Sequence, residues 1–232
     1  MADAEETQPA EETCPACLKP WPLCVCDAIT PLDNRVALLV LQHPQEQDRM
    51  LGTARVAVKS LKNAELRIGL SWPSLSKALG RPAEPRRWGV VHLGATRPDD
   101  FPPGRDVAVF DRKGQAVADQ EAALADIEGV VLLDGTWSQA KTLWWRNPWV
   151  LKAKRIALKP RQPSLYGRLR REPRRESLST LEAAALVLAR IEKRPEIETT
   201  LISTFRRMLQ RYRDAAARQP IEAAAPAIEV QS

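Results

Sequence analysis

Residues 129–145, which read GVVLLDGTWSQAKTLWW, decide the fold of this chain. The segment 129–133 is almost wholly apolar and rich in β-branched side chains, which predicts a buried strand of a parallel sheet. Asp134-Gly135 is a turn signal, and the Thr136 hydroxyl can cap a helix that follows it. Residues 138–145 have helical composition. A strand, a tight turn and a helix are therefore expected in succession.

The carboxylate of Asp134 is the first candidate for a functional group. Ligands of open α/β sheets bind at the carboxyl ends of the strands, and Asp134 lies at such an end with the Thr136 hydroxyl beside it. The alternative is that Asp134 only stabilises the turn and that Trp137 only fills the core. Four residues alone do not separate these interpretations, so the rest of the chain has to decide.

The remaining sequence alternates strand-like and helix-like segments, which predicts an α/β domain with a mostly parallel sheet. Residues 71–87 are rich in Pro, Ser and Gly and are expected to form a surface excursion. A capping box, Ser179 with Glu182, starts a helix whose N-terminus is a candidate anion site. The predicted strands are 35–41, 65–70, 88–93, 106–110, 129–133 and 155–158, and the predicted helices are 49–61, 120–127, 138–145, 180–193 and 196–213.

The overall composition is that of a globular protein with a basic surface. The chain has 232 residues, 44% of them hydrophobic, and a net charge of +6. No apolar run is long enough to span a bilayer, and the acidic start of the chain lacks the apolar core of a signal peptide. We therefore expect a cytoplasmic protein, and the positive charge suits a polyanionic partner. Residues 1–13 are predicted to be a disordered acidic tail, and residues 215–232 a flexible C-terminal tail.

All four cysteines, Cys14, Cys17, Cys24 and Cys26, lie in one short segment. Paired thiols in a cytosolic chain favour a tetrahedral structural zinc site, which predicts a zinc knuckle over residues 14–30. A pair of disulfides or an iron–sulfur cluster are the alternatives. Catalysis by these thiols is not expected, because no histidine lies nearby in the sequence.

Two further features carry candidate functional residues. His43 follows the first predicted strand, where it is either a base or ligand-orienting group, or a histidine hydrogen-bonded within a loop. The segment 161–175 is the densest basic stretch, and its arginines suit bidentate phosphate contacts, although a solvated loop with local acidic partners is an equal alternative. These arginines are Arg161, Arg168, Arg170, Arg171, Arg174 and Arg175.

Five motifs in order resemble those of the DTW-domain family, the transfer-RNA uridine aminocarboxypropyltransferases. They cover roughly residues 14–190, and the D-x-T-W signature is intact. The sequence differs from the family pattern at Gly52, where a polar Asn is expected before Thr53. The motifs are C-x-x-C…C-x-C (14–26), Q-H-P-x-E (42–46), L-D-G-T-W (133–137), P-S-x-Y (163–166) and S-T-x-E-A (179–183).

The resemblance implies a knotted SPOUT-like, Rossmann-type topology in a catalytic domain over residues 31–214. It also implies transfer of the 3-amino-3-carboxypropyl group of S-adenosylmethionine to N3 of a uridine in transfer RNA, with release of 5′-methylthioadenosine. Asp134 is then the candidate base or base-orienting group, and Trp137 packs on the cofactor or on the uridine. The implied protein is a monomer.

The resemblance also assigns binding residues. The implied cofactor contacts are Leu93, Gly94, Leu133, Gly135, Thr136, Leu158, Tyr166, Ser179 and Thr180. The implied RNA contacts are His43, the six arginines of 161–175 and the zinc knuckle. Two other functions stay open, an S-adenosylmethionine-dependent RNA methyltransferase and a non-catalytic zinc-containing RNA-binding protein.

Overall fold

The computed structural model describes residues 13–47, 49–91, 101–111, 113–169 and 178–218. Within these residues six strands form one sheet in the order β2-β1-β5-β3-β6-β4. The strands are β1 (Ala37–Gln42), β2 (Ala64–Ile68), β3 (Trp88–Val91), β4 (Val107–Phe110), β5 (Gly129–Asp134) and β6 (Lys154–Leu158). All neighbours are parallel except β4, which runs antiparallel to β6. The predicted α/β class with a mostly parallel sheet is confirmed.

Helices cover both faces of this sheet. The described helices are α1 (Ala54–Lys59), α2 (Leu75–Leu79), α3 (Gln120–Ala125), α4 (Trp137–Arg146), α5 (Thr180–Glu192) and α6 (Pro195–Arg218). Alternate β1 residues point to opposite sides, with Leu38 and Val40 in the core under α1, α3, α5 and α6. Leu39 and Leu41 lie in the second core, under α2 and α4. Burial on both faces explains why β1 is apolar without alternation.

Helix α5 is the most deeply buried helix of the first core. Its residues from Leu181 to Ile191 are mostly inaccessible, because α6 covers the side that faces away from the sheet. A helix that is apolar all round is expected in such a position. Helix α6 is amphipathic and continues through Arg218, four residues beyond the boundary expected at residue 214.

The segment 71–87 differs from the expectation of a surface excursion. It contains α2, whose Leu75 and Leu79 are buried against the second core. These two leucines are spaced i,i+4 and share one face of the helix, so a short apolar stripe is enough to bury it. The expectation missed this helix because Pro and Ser dominate the composition of the segment, and the residues of 71–87 outside α2 are half-buried or exposed.

One glycine explains how β5 fits beside β3. Gly129 pairs with Trp88, whose ring is fully buried. A Cβ atom at position 129 would lie 2.5 Å from carbon atoms of that ring. Only glycine therefore lets the indole lie across the start of β5.

Candidate active site

Asp134 is the last residue of β5 and lies next to the last residue of β1. Gln42 and Asp134 are paired in register, and the Nε2 group of Gln42 donates a hydrogen bond of 2.7 Å to Asp134 Oδ2. The backbone N–H of His43 donates to the backbone carbonyl of Asp134 at 2.9 Å. Two neighbouring strand ends therefore fix both the backbone and the side chain of this acid.

The N-terminus of α5 supplies the second partner of Asp134. The hydroxyl of Thr180, the first residue of α5, donates a hydrogen bond to Asp134 Oδ1. The positive end of a helix dipole favours a negative charge at such a position. One carboxylate thus joins the ends of β1 and β5 to the start of α5.

These contacts leave Asp134 able to act on a bound molecule. Each carboxylate oxygen can accept about two hydrogen bonds, so one donor on each leaves capacity for another. The side chain is half-buried, so one side of it remains accessible. The carbonyl oxygen of the Gln42 amide is buried and makes no hydrogen bond within the described residues. The site therefore offers acceptors for a proton or a cationic group, held by a rigid frame.

The residues after Asp134 form a tight entry into α4. The hydroxyl of Thr136 accepts from the backbone N–H of Gln139, and the Gln139 side chain accepts from the backbone N–H of Thr136 at 2.6 Å. A Cβ atom on Gly135 would lie 2.8 Å from Gln139 Cβ, so this turn requires glycine. Trp137 begins the helix and is 39% exposed. The predicted cap is confirmed, and the indole is accessible next to Asp134.

A second acid, Glu182, holds the segment after β6 against the start of α5. Its carboxylate accepts from the Ser164 hydroxyl at 2.6 Å, from the Leu165 N–H at 2.8 Å and from the Ser179 N–H at 2.8 Å. Glu182 is only 6% exposed, so these donors offset the cost of its burial. Glu182 is therefore the anchor of the P-S-x-Y motif.

The first turn of α5 is also tied to the chain before α1. The backbone N–H of Leu181 donates to the Thr53 hydroxyl at 3.2 Å, and the Tyr166 hydroxyl donates to the Leu51 carbonyl at 2.6 Å. The side chain of Tyr166 is 1% exposed and packs edge-on against Phe205. The structure therefore places this tyrosine side chain in the core, where it joins the P-S-x-Y segment to the loop before α1 and to α6.

The predicted cofactor residues have varied surroundings. Ser179 is buried and its hydroxyl caps α5, and Thr180 bonds Asp134, so both hydroxyls already have protein partners. Leu133 precedes Asp134 and is half-buried. Leu158 ends β6 and pairs with Val107 of β4. Leu93 and Gly94 lie outside the described residues.

The predicted RNA-binding residues are not all at one place. His43 is half-buried, and its Nδ1 accepts from the backbone N–H of Gln45 at 3.3 Å, so its ring caps a short 3-10 helix beside Asp134. Arg168 is exposed. Arg161 lies 3.4 Å from Asp106, at a cavity of about 580 Å³ that Arg190 and Glu121 also line. Arg170, Arg171, Arg174 and Arg175 lie outside the described residues.

The cysteine segment forms a compact cluster. The four sulfur atoms all lie within 4.8 Å of one another, and Cys14 Sγ and Cys26 Sγ are 3.9 Å apart. A tetrahedral zinc ion with bonds of about 2.3 Å requires sulfur atoms about 3.8 Å apart, so the cluster fits this ion. Burial raises the pKa of Cys24 and of Cys26, so a cation is needed to offset the cost of holding these sulfurs as thiolates. The donor set suits structural zinc.

Lys19 joins the cysteine cluster to the loop before α1. Its side chain is 4% exposed, and Nζ donates to the backbone carbonyl of Met50 at 2.6 Å. Burial lowers the pKa of Lys19 to about 8, and the nearby thiols of Cys17 and Cys24 oppose this shift. Leu51, the next residue of this loop, accepts the hydrogen bond from the Tyr166 hydroxyl. The loop therefore connects the cysteine cluster to the residues that hold the start of α5.

Sequence reasoning missed two residues of this site. Gln42 belongs to the Q-H-P motif, but nothing local in the sequence indicates that it faces an acid 92 positions away. Glu182 was identified as a capping residue, but its two bonds to the segment 164–165 were not expected. A polar residue at the end of an otherwise apolar strand was the available signal for Gln42.

None of the helices that the structure describes combines the length and the apolar character needed to cross a bilayer.

Comparison with known proteins gives a consistent picture. The model of the DTW domain matches residues 11–213. The protein named tRNA-uridine aminocarboxypropyltransferase 2 from Macaca fascicularis is 27% identical over 191 residues, which cover 82% of this chain and 59% of that protein. The proteins of the same name from Mus musculus and Drosophila melanogaster are each 29% identical, over 82% of this chain and over 59% and 70% of their own lengths.

This chain thus spans about three fifths of the length of the first two relatives. No solved structure matches it. Because the match to the domain extends from residue 11 to residue 213 and includes the D-x-T-W signature, this chain belongs to the DTW-domain family.

Proposed function

We propose that this chain transfers the 3-amino-3-carboxypropyl group of S-adenosylmethionine to N3 of a uridine in transfer RNA. The observation that carries this proposal is the carboxylate of Asp134, which Gln42 and Thr180 hold at the carboxyl ends of the parallel strands. The names of the relatives supply the reaction, and the D-x-T-W signature contains the acid. The proposal concerns this chain alone and not the longer relatives.

The proposed reaction requires one group that accepts the proton of uridine N3. A bond forms between uridine N3 and the terminal carbon of the aminocarboxypropyl group, and the bond from that carbon to the sulfonium sulfur breaks. The electron pair stays on sulfur, which leaves as the neutral thioether 5′-methylthioadenosine. N3 loses its proton, and Asp134 takes this proton or orients the base. Trp137 supplies an accessible aromatic surface for the base or the adenosine.

S-adenosylmethionine is proposed to bind at the same carboxyl ends of the strands. Its contacts are expected from the backbone near Leu133, Gly135, Thr136 and Leu158, and from the chain after β3, where Leu93 and Gly94 lie. We also propose the knotted SPOUT-like topology. The support for this topology is that the chain after β6 returns to the end of the sheet that carries Asp134. There the Ser164 hydroxyl donates a hydrogen bond to Glu182.

The polyanionic substrate suits the net charge of +6 and the exposed Arg168. The cluster of thiols favours a reducing compartment, so we propose that the protein works in the cytoplasm, as a monomer with one structural zinc ion. We keep the proposed division into a tail (1–13), a knuckle (14–30), a catalytic domain (31–214) and a second tail (215–232).

The test is incubation of the purified protein with transfer RNA and S-adenosylmethionine labelled in the aminocarboxypropyl group. The expected result is label in RNA and release of 5′-methylthioadenosine. Asp134→Asn keeps the size of the side chain but removes the negative charge and one acceptor oxygen, and it is expected to lower turnover at least about 100-fold. Binding of S-adenosylmethionine, measured by calorimetry, is expected to stay within a few-fold of the original protein.

Three outcomes contradict the proposal or its catalytic assignment. Release of labelled S-adenosylhomocysteine, with no label in the RNA, identifies a methyltransferase instead. Full turnover by Asp134→Asn removes this residue from the reaction. If the original protein binds RNA but releases neither product, the non-catalytic alternative holds.

A further inference from the structure

The outer side of α4 carries an unusual set of exposed side chains. Trp145 is 72% exposed and Trp137 is 39% exposed, whereas most large apolar side chains of α4 and its surroundings are buried. Lys141 is exposed between them in the sequence. At 100° per residue these three positions lie within an arc of about 80° on the helix. We call them the α4 aromatic face.

The buried side of the same helix explains why these indoles are not part of the core. Ala140, Leu143 and Trp144 are the buried residues of α4, and they already pack it against the sheet. Trp145 follows Trp144 by one position and therefore points about 100° away from it. Trp137 and Trp145 thus remain exposed beside a cation, and a cluster of exposed apolar side chains rimmed by polar groups is typical of an interaction site.

The charge around this face suits a polyanion. In the sequence, residues 135–171 contain no Asp or Glu, although they contain ten Lys and Arg residues. Three of these cations, Lys141, Arg146 and Lys152, are exposed on α4 or on the turn that follows it. An exposed surface that combines indoles with cations is typical of proteins that stack nucleobases along a phosphate chain.

The face is also continuous with the candidate active site. Helix α4 begins at Trp137, three residues after Asp134, and Trp145 lies eight residues further along, which is about 12 Å of helix. That length corresponds to roughly three stacked nucleotides at about 3.4 Å each. A strand whose reactive base lies at Asp134 can therefore place neighbouring nucleotides along α4.

We propose that the α4 aromatic face is the surface on which the RNA substrate lies, with Trp145 stacking on a nucleotide outside the reacting position and Lys141 neutralising a phosphate. This inference rests on the proposed function, since it takes RNA as the substrate. It adds a contact surface on the side of α4, apart from the arginines of 161–175. The role of Trp145 is to bind, and it takes no part in the chemistry.

The test measures the affinity for a transfer-RNA transcript by fluorescence anisotropy over a series of salt concentrations. Trp145→Leu keeps an apolar side chain and removes the aromatic ring, and it is expected to weaken binding roughly tenfold. Trp145→Phe keeps a ring and is expected to retain most of the affinity. Lys141→Gln is expected to reduce the slope of log K against log salt by about one, whereas Lys62→Gln, an exposed cation of a different surface, leaves it unchanged.

Three controls accompany this test: the affinity for S-adenosylmethionine, the melting temperature and the oligomeric state by sedimentation. S-adenosylmethionine affinity and the melting temperature of each variant are expected to equal those of the original protein. If Trp145→Leu and Lys141→Gln both leave RNA affinity unchanged, the inference is wrong. If Trp145→Leu instead dissolves a dimer seen by sedimentation and leaves RNA affinity unchanged, a second copy of the chain covers this face and the inference is wrong.

Failure of the inference and failure of the proposed function are distinguishable. Release of 5′-methylthioadenosine by the original protein measures the function and does not depend on Trp145. Release of this product together with unchanged RNA affinity in both variants rejects the surface and keeps the function.

Discussion

Gln42 donates a hydrogen bond of 2.7 Å to Asp134 across two neighbouring parallel strands, at the position where both strands end. The two residues are 92 positions apart in the chain. The contact exists because β1 lies directly beside β5 in the sheet. It fixes the orientation of the acid on which the proposed reaction depends.

Gln42→Leu is therefore expected to reduce turnover while leaving the fold intact. The leucine has similar volume but no donor, so Asp134 loses one of its two restraints. A loss of about 10- to 100-fold in kcat, with little change in KM for S-adenosylmethionine, is the expected result for a positioning residue. Gln45→Leu is the control, because its exposed side chain lies on the same loop and accepts a hydrogen bond from Gln139 and not from Asp134 or its partners. Equal kcat for the original protein and Gln42→Leu would show that this contact does not orient the acid.

Thr180→Val tests the second restraint on Asp134. The substitution keeps the shape of the side chain and removes the hydroxyl that donates to Asp134 Oδ1. We expect kcat to fall about tenfold or more, and Thr180→Ser to restore most of it. Rescue by Thr180→Ser distinguishes this role from a merely structural one, because serine restores the donor without the methyl group, and KM for S-adenosylmethionine is expected to change little. An unchanged rate in Thr180→Val contradicts the assignment.

Removal of one cysteine tests the proposed zinc site. The purified protein is expected to contain one zinc ion per chain, and Cys17→Ser to lose most of it and to melt at least about 5 °C lower, because metal binding is coupled to folding of this segment. Metal content by plasma mass spectrometry and thermal unfolding provide the two measurements. Ala16→Ser, on the same turn and without a sulfur atom, is the control. Protein that is free of zinc and yet has the same melting temperature as the zinc-loaded form rules out the site.

Arg190→Met tests the ion pairs at the edge of the sheet. Arg190 donates from Nε to Asp106 Oδ1 and from Nη2 to Asp106 Oδ2, each at 2.8 Å. These hydrogen bonds raise the pKa of Arg190. Asp106 is 6% exposed, so removal of Arg190 leaves a buried charge with only the longer contact of 3.4 Å to Arg161, and is expected to lower the free energy of unfolding by about 2 kcal/mol. Arg105→Met breaks a pair with the exposed Glu121 and is expected to cost less than about 1 kcal/mol. Urea unfolding checks both values, and equal effects would refute the distinction.

Gly129→Ala tests the fit between β5 and β3. Its new methyl group would overlap the ring of Trp88, which is expected to lower the free energy of unfolding by about 1–3 kcal/mol. Trp88→Leu creates space at the same place, so the double variant is expected to lose less than the sum of the single changes. Additive losses in urea unfolding would mean that the two positions do not collide.

The local structure of the site was predictable because it depends on neighbouring residues. The apolar segment 129–133 predicts β5, the Thr136 hydroxyl predicts the start of α4, and Ser179 with Glu182 predicts the start of α5. Four thiols within thirteen residues predict their own cluster. Each of these predictions uses contacts that a short segment makes with itself.

The assembly of the site was decided by the tertiary structure. The sequence marks Asp134 as the end of a strand, but only the order of strands places Gln42 beside it and only the packing of α5 brings Thr180 to its other oxygen. The side chain of Tyr166 lies in the core, and its hydroxyl reaches a carbonyl 115 positions away, a contact that no local pattern predicts. The sequence by itself determined which segments form strands, helices and a thiol cluster, since these follow from local side chains. Which of their ends meet was left to the packing of the whole core, because that depends on contacts between residues far apart in the chain.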